Sequence, residues 1–371
     1  MKFRSEDCTA FSLTEVHLLA RKMQWSIVTF QAAGQKLPCT FISLSAELQE
    51  SHGRSKSFIM ESFQTQETCP RVNIVPDLEL WGYDLQLPKS FLRENIEETE
   101  DPIQNKIEFE KDLAINAKSQ YVAAVEKAQE FINKGEFQKL VIARLKKISL
   151  KNDHSTEVFF KAMTENYPQA FCYCVYHPAI GSWSGASPEL LLSYRAEEIK
   201  TSALAGTLTE AQLEQGWSAK EVEEHEMVVE YIKSALDQKV KQLKVGIRKT
   251  VQAGPVFHLR TAIKAKISNN KFTSILQALH PTPAVAGLPF KNSIETINTI
   301  ENFKREYYCG FIGVLKAEDN ADVFVNLRCL KWLNEKTVQL FIGAGITAAS
   351  IPEDEWFETE AKAKTMEDLL L

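Results

Sequence analysis

The succession of secondary-structure signals constrains this chain most. From Gln138 onward, apolar or alternating segments follow one another without the strict strand–helix–strand rhythm of a parallel sheet. Lys139–Leu150, Phe171–Tyr176, Glu189–Tyr194 and Glu198–Leu204 read as strands. Helical patterns follow near 217–243, 271–279 and 291–306. Three more strands come at Gly310–Lys316, Val323–Trp332 and Thr337–Ala344, then a last helix. Runs of strands with grouped helices predict an antiparallel α+β architecture. Residues 1–100 read as short elements, with Thr14–Met23 helical and Trp25–Phe30 extended. The charged stretch 93–118 predicts an exposed connection into a helix at Ser119–Asn133, which Gly135 terminates. We expect one unit over 1–371, with a less recognisable part at 1–118 and a motif-bearing part at 119–371.

The chemistry gathers near the end of the chain. Gly343-Ala344-Gly345 precedes a segment in which Glu355, Glu358 and Lys362 would project from one helix face. Glu221 and Glu224 form a second such pair, inside Lys220–His225. Two carboxylate pairs on two helices offer the oxygen ligands that a hard cation such as Mg2+ takes. Lys362 beside one pair points to an anionic substrate between metal and amine. A single acidic pair is more often a solvated helix face. The glycine turn after Phe341-Ile342 argues for more, because it reads as a buried strand ending where backbone can approach a ligand.

Other positions carry two readings each. Lys139, at the head of an apolar strand, is either a strand end in water or a partly desolvated general base. Glu189, in Gly185-Ala-Ser-Pro-Glu-Leu, is either an edge residue or an acid whose pKa burial raises. Together they would suit addition of water at one atom while another group leaves. His280 stands before Pro281 in a loop stiffened by a second proline at 283, a shaped ligand-binding candidate. Arg328, inside the apolar segment Val325–Leu330, must meet an anion from protein or substrate. Tyr308 would sit just before the same sheet. Ala205-Gly206-Thr207 closes another strand with a glycine and a hydroxyl, suited to close approach of a small ligand.

Composition excludes several classes. The net charge is −6 and no Lys/Arg-dense block with interleaved aromatics occurs, so nucleic-acid binding is unsupported. The 7 cysteines lack CxxC spacing; Cys172 and Cys174 read as buried strand thiols. No apolar run approaches membrane-spanning length and the N-terminus has no apolar signal core, which leads us to expect a cytoplasmic protein.

The ordered set QKLVIAR, GASPELLL, LAGT, KEVEEH, HPTPAVAG, REYYCGFIG, VNLRCL and GAGITAASIPEDEWFETEAKAK resembles the chorismate-utilising enzymes over roughly 138–371. That group includes isochorismate, salicylate, anthranilate and aminodeoxychorismate synthases. The resemblance implies two antiparallel sheets face to face, helices outside, and an active site in the cleft between. It also implies a branch. Lysine at 139 matches the water-adding members, where anthranilate synthase has glutamine and uses ammonia. Ala205 stands where aminodeoxychorismate synthase has a nucleophilic lysine, and HPTPAVAG looks like the isochorismate synthase form of its loop.

By resemblance, Lys139 would activate water for attack at C2 of chorismate and Glu189 would protonate the departing C4 hydroxyl. Glu224 and Glu358 would hold Mg2+, with Glu221 and Glu355 acting through metal-bound waters. The metal would grip the ring carboxylate. Tyr308 and Arg328, helped by backbone around Gly343, would bind the enolpyruvyl carboxylate. Gly206, Thr207, His280 and Lys362 would line the ring side. The expected partner is chorismate alone, with no glutamine amidotransferase subunit, no nucleic acid and no membrane, and a monomeric chain. The product would feed menaquinone or siderophore synthesis. Rival expectations are a salicylate synthase, which adds pyruvate elimination, and a non-catalytic chorismate-binding subunit. A carboxylate-bridged dimetal protein fits worse, because Val222 stands where its Glu-x-x-His spacing would need glutamate.

Overall fold

Aromatic side chains from two antiparallel sheets meet across the centre of the molecule. The computed structural model describes residues 7–48, 56–96, 117–151, 155–253, 256–267, 271–317 and 320–370. Most of the charged connection expected at 93–118 therefore lies outside the described residues. The first part of the chain runs β1 (Cys8–Ser12), α1 (Leu13–Lys22), β2 (Ser26–Gln31), β3 (Cys39–Ser43), β4 (Ser57–Glu61), β5 (Val72–Ile74), β6 (Leu78–Trp81), β7 (Asp84–Pro88), α2 (Lys89–Asn95) and α3 (Ala117–Asn133). Next come β8 (Lys139–Ser149), α4 (Thr156–Asn166), β9 (Phe171–His177), β10 (Gly181–Ser187), β11 (Leu190–Arg195), β12 (Glu198–Thr209), α5 (Glu210–Leu213) and α6 (Ala219–Leu236). The rest is β13 (Lys241–Ala253), β14 (Val256–Lys266), α7 (Phe272–Leu279), β15 (Gly287–Leu288), α8 (Phe290–Ile300), β16 (Phe311–Ala317), β17 (Asn320–Val325), β18 (Cys329–Asn334), β19 (Thr337–Ile346) and α9 (Pro352–Glu367).

A 9-stranded sheet has the order β15-β8-β19-β18-β10-β9-β2-β3-β6, and an 8-stranded sheet β13-β14-β12-β11-β17-β16-β4-β5. β1 and β7 form a separate pair. Strands β2, β3 and β6 from the first hundred residues extend one sheet and β4 and β5 the other. The inner faces join where Phe171 stacks on Phe324 at 4.8 Å and Phe30 on Phe58 at 6.4 Å. The buried rings among them, Phe30, Phe58 and Phe171, each contribute about 1.5–3 kcal/mol over exposure to water. Outside, α1 and α4 cover the 9-stranded sheet, and α6 and α7 pack on the 8-stranded one. Local chemistry sets the helix ends: Ser12 and Glu15 form a capping box on α1, and Gly135 at φ +79° follows α3. Among the described residues no helix is long and apolar enough to cross a membrane.

Three expectations change. The helix foreseen at 217–243 stops at Leu236, and β13 and β14 follow as a hairpin. β13 is a sheet edge whose residues are nearly all exposed, so it carries no alternation to betray it. The strand foreseen at Val323–Trp332 is two strands in different sheets, β17 and β18, with Arg328 in the crossing at φ +47°. Gly343 and Gly345 lie within β19, not beyond its end.

Candidate active site

Residues of β8 and β19 from one sheet, of β12 from the other, and of helices α6 and α9 surround one space. A cleft of about 660 Å³ opens there. Lys139, Glu189, Gly206, Tyr308, Arg328, Gly343, Lys362 and all four glutamates at 221, 224, 355 and 358 line it.

Lys139 is the first residue of β8 and only 3% exposed, so it is no strand end in water. Its Nζ donates to Glu224 Oε1 at 2.5 Å. Gly345 makes this possible: a Cβ there would stand 2.7 Å from Lys139 Cε. Glu189 is buried in the link between β10 and β11, its backbone carbonyl accepting from Val325 N. Burial pushes its carboxyl up to about 7, against the opposing pull of Lys139 and Lys362. The cleft therefore holds a carboxyl group that is half protonated near neutrality, together with a buried amine.

Tyr308 and Arg328 arrive on neighbouring loops knotted by Asn326. Cys309 N donates to Asn326 O, Asn326 N to Gly310 O, and Asn326 Nδ2 to Tyr307 O. Tyr173 donates its hydroxyl to Asn326 Oδ1 at 2.8 Å. A Cβ on Gly343 would come 2.9 Å from the Tyr308 hydroxyl. The two glycines of β19 thus let two site side chains cross the strand. Burial holds the Tyr308 phenol well above its usual range, so it is a neutral donor. The left-handed backbone of Arg328 is costly for a residue with a Cβ, and such outliers gather at functional sites.

The carboxylates sit near the N-termini of α6 and α9, where the helix dipole favours negative charge. Glu221 Oε2 accepts from Ser218 N at 2.9 Å, closing the α6 capping box. Lys362 bridges Glu358 Oε1 at 2.7 Å and the Gly343 carbonyl at 3.0 Å. Arg144 fastens α9 to β8, lying 4.0 Å over the Trp356 ring and donating to Thr359. As an oxygen-only set the four carboxylates suit a hard divalent cation. They are dispersed here, two held by lysines and one by its cap, and no three His, Cys, Asp or Glu are gathered for a metal among the described residues.

His280 does not line the cleft. Its Nε2 stands 3.2 Å from the Ser62 carbonyl and its ring meets Phe311 edge-on at 5.0 Å. The prolines around it shape a loop whose apolar residues Ala284 and Val285 reach the cleft instead. The side chain of Thr207 lies outside what the structure describes. His258, missed in the sequence, does line the cleft. Its Nδ1 donates to the Gly206 carbonyl at 2.8 Å, and burial lowers its pKa to about 4, leaving a neutral ring. It stands on β14, one of the strands the sequence hid. All seven cysteines are free thiols; Cys172 and Cys174 are buried as expected.

A profile of the chorismate binding enzymes matches residues 77–371. The chain belongs to the chorismate-binding enzyme family. It is 31% identical over 264 residues to isochorismate synthase EntC of Escherichia coli K12, covering 68% of this chain and 67% of that protein. To the salicylate biosynthesis isochorismate synthase of Pseudomonas aeruginosa it is 33% identical over 273 residues, 70% of this chain but 56% of that one. The alignment thus spans little more than half of the Pseudomonas relative. Among solved structures, the menaquinone-specific isochorismate synthase MenF of E. coli superposes with a TM-score of 0.77 at 24% identity, over 98% of this chain and 94% of that one. Anthranilate synthase component I of Streptococcus pneumoniae gives 0.66 at 17% identity, over 99% and 93%. At these identities the superpositions bear on the fold, which is that of chorismate-binding enzymes.

Proposed function

We propose that this chain is an isochorismate synthase, an isomerase that adds water at C2 of chorismate as the C4 hydroxyl departs. The observation that carries this is the buried pair on the cleft walls: Glu189, with its carboxyl pushed up to about 7, and the Lys139 amine. Glu189 can hold a proton near neutrality and deliver it to the C4 oxygen. Lys139, as the free amine once it has left a proton with Glu224, can take one from water at C2. Lysine at 139 and alanine at 205 support water, not ammonia or an enzyme amine, as nucleophile, so no amidotransferase is required.

Tyr308 and Arg328 bind the enolpyruvyl carboxylate against the backbone of Gly343. Leu204, Val285 and Phe341 exclude water from the ring. Lys362 offers its ammonium on the ring side. Glu224 and Glu358 would hold Mg2+, with Glu221 and Glu355 beside them, and the bound ion would supply positive charge against the ring carboxylate.

Incubation of the purified chain with chorismate and Mg2+, with products resolved chromatographically, tests the reading. Isochorismate should accumulate without pyruvate, and excess EDTA should abolish it. Pyruvate release would make the chain a salicylate synthase, and no turnover would leave a binding subunit.

A further inference from the structure

The sheet face that brings Leu204 into the cleft continues outward over β14 and β13, and like charges line it. Lys241 stands opposite Lys266, Lys244 opposite Lys264, and Lys249 opposite Arg260. On the far side of β14, Lys200 is paired with Lys264, so Lys200, Lys264 and Lys244 form a row across three strands. All these side chains are exposed. Between Lys241 and Lys266 there is no aspartate or glutamate, in a chain of net charge −6.

Like charges directly opposite each other weaken a ladder. Lysines on a sheet edge guard it against strand addition, which accounts for β13. It does not account for Arg260, Lys264 and Lys266, because β14 is an interior strand, nor for Lys200 on β12. Lys200 has Glu198 at 3.3 Å; among the described residues none of the other six forms an ion pair.

The face begins at the cleft. Arg260 is opposite the cleft residue Leu204, and His258, two residues along β14, lines the cleft itself. Among the described residues, the cleft lining carries carboxyl groups at 189, 221, 224, 354, 355 and 358 and cations at 139, 328 and 362. We infer that the basic face of β12–β14 is an electrostatic entry surface that draws a dianionic substrate to the cleft. The reading of chorismate as substrate supplies the identity of that dianion. Charged surfaces beside a cleft raise local ion concentration and encounter rates by roughly 10–10³-fold at low salt, and screening removes the effect.

The test is the triple variant Lys200→Gln/Lys244→Gln/Lys264→Gln, with kcat and KM for chorismate measured at low and high ionic strength. With a Debye length of about 30 Å at 0.01 M and about 3 Å at 1 M, these bracket the effect. The variant should keep its kcat and raise KM about three- to tenfold at low salt, with the difference gone at high salt. Its Tm should stay level or rise, since cross-strand repulsion is relieved. A KM equal to wild type at both ionic strengths overturns the entry surface. A difference that persists at high salt also overturns it, since the lysines would then act by contact. A wild-type enzyme inactive on chorismate refutes the functional reading and the entry surface with it; an active one whose variant matches it refutes the entry surface alone.

Discussion

Two buried ion pairs touch the same strand, β8, and they differ in how completely they are satisfied. Below the cleft, Arg305 donates to both oxygens of Glu301, to the Val285 carbonyl at 2.7 Å and to the Val141 carbonyl at 2.6 Å. Glu301 Oε1 also accepts from Ala143 N at 2.7 Å, so the pair grips β8 through its backbone. Both side chains are 2% exposed. At the head of the strand, the Lys139 ammonium has one hydrogen-bond partner among the described residues, Glu224, whose side chain is 15% exposed. The first is a closed network that fixes the strand. The second leaves donor capacity unused beside open space, as a group that must change partners during a reaction requires. Burial alone does not distinguish a structural charge from a functional one; saturation of its hydrogen bonds does.

The largest effect should come from the cleft. Glu189→Gln keeps the shape but cannot give a proton, and should lower turnover by about 10²–10⁴-fold with chorismate binding retained. In the wild type, turnover should fall as pH rises past about 7, where this carboxyl ionises. The same group links stability to pH. Its proton is held to about 7 in the fold against an ordinary 4.5, so its contribution is full below 4.5 and lost as pH rises through about 7. Relative to wild type, Glu189→Gln should therefore gain stability on the alkaline side, on the order of 3 kcal/mol by urea unfolding. A wild-type alkaline decline that persists in the variant would separate Glu189 from both effects.

Arg305→Ala should do the opposite, removing fold instead of chemistry. Stranding Glu301 in the core should cost about 3–5 kcal/mol in denaturant unfolding. A variant that unfolds like wild type but loses activity would reverse the contrast between the pairs.

Arg328→Ala should give the smallest loss, roughly ten- to a hundredfold in kcat/KM from one charge-assisted bond, with little change in Tm. Kinetics equal to wild type would assign Arg328 to a protein partner.

The strands buried on one or both faces were legible because their residues alternate or run apolar: β8, β9, β11 and β19 fall close to their expected places. The β13–β14 hairpin was not, since β13 is wet on both sides and its lysines obey neither period. The crossing at Arg328 was hidden because apolar residues flank it on both sides, and only a backbone angle marks the change of sheet. Lys139 and Glu189 could be nominated from local pattern but not decided. For Lys139, the packing that decides between water and cleft comes from Glu224 on α6 and Gly345 on β19, far along the chain. His280 misled for the converse reason: its prolines announced a shaped loop, but not which of its residues face inward.

The account rests most on Lys139 as the base, and Lys139→Ala measured for both chorismate binding and turnover tests it directly. Glu189, Tyr308 and Arg328 remain in the variant, so it should bind chorismate within a few-fold of wild type while turnover falls by at least about 10²-fold. A Lys139→Ala enzyme that retains more than about a tenth of the wild-type rate contradicts the assignment, because even the low end of general-base catalysis exceeds that.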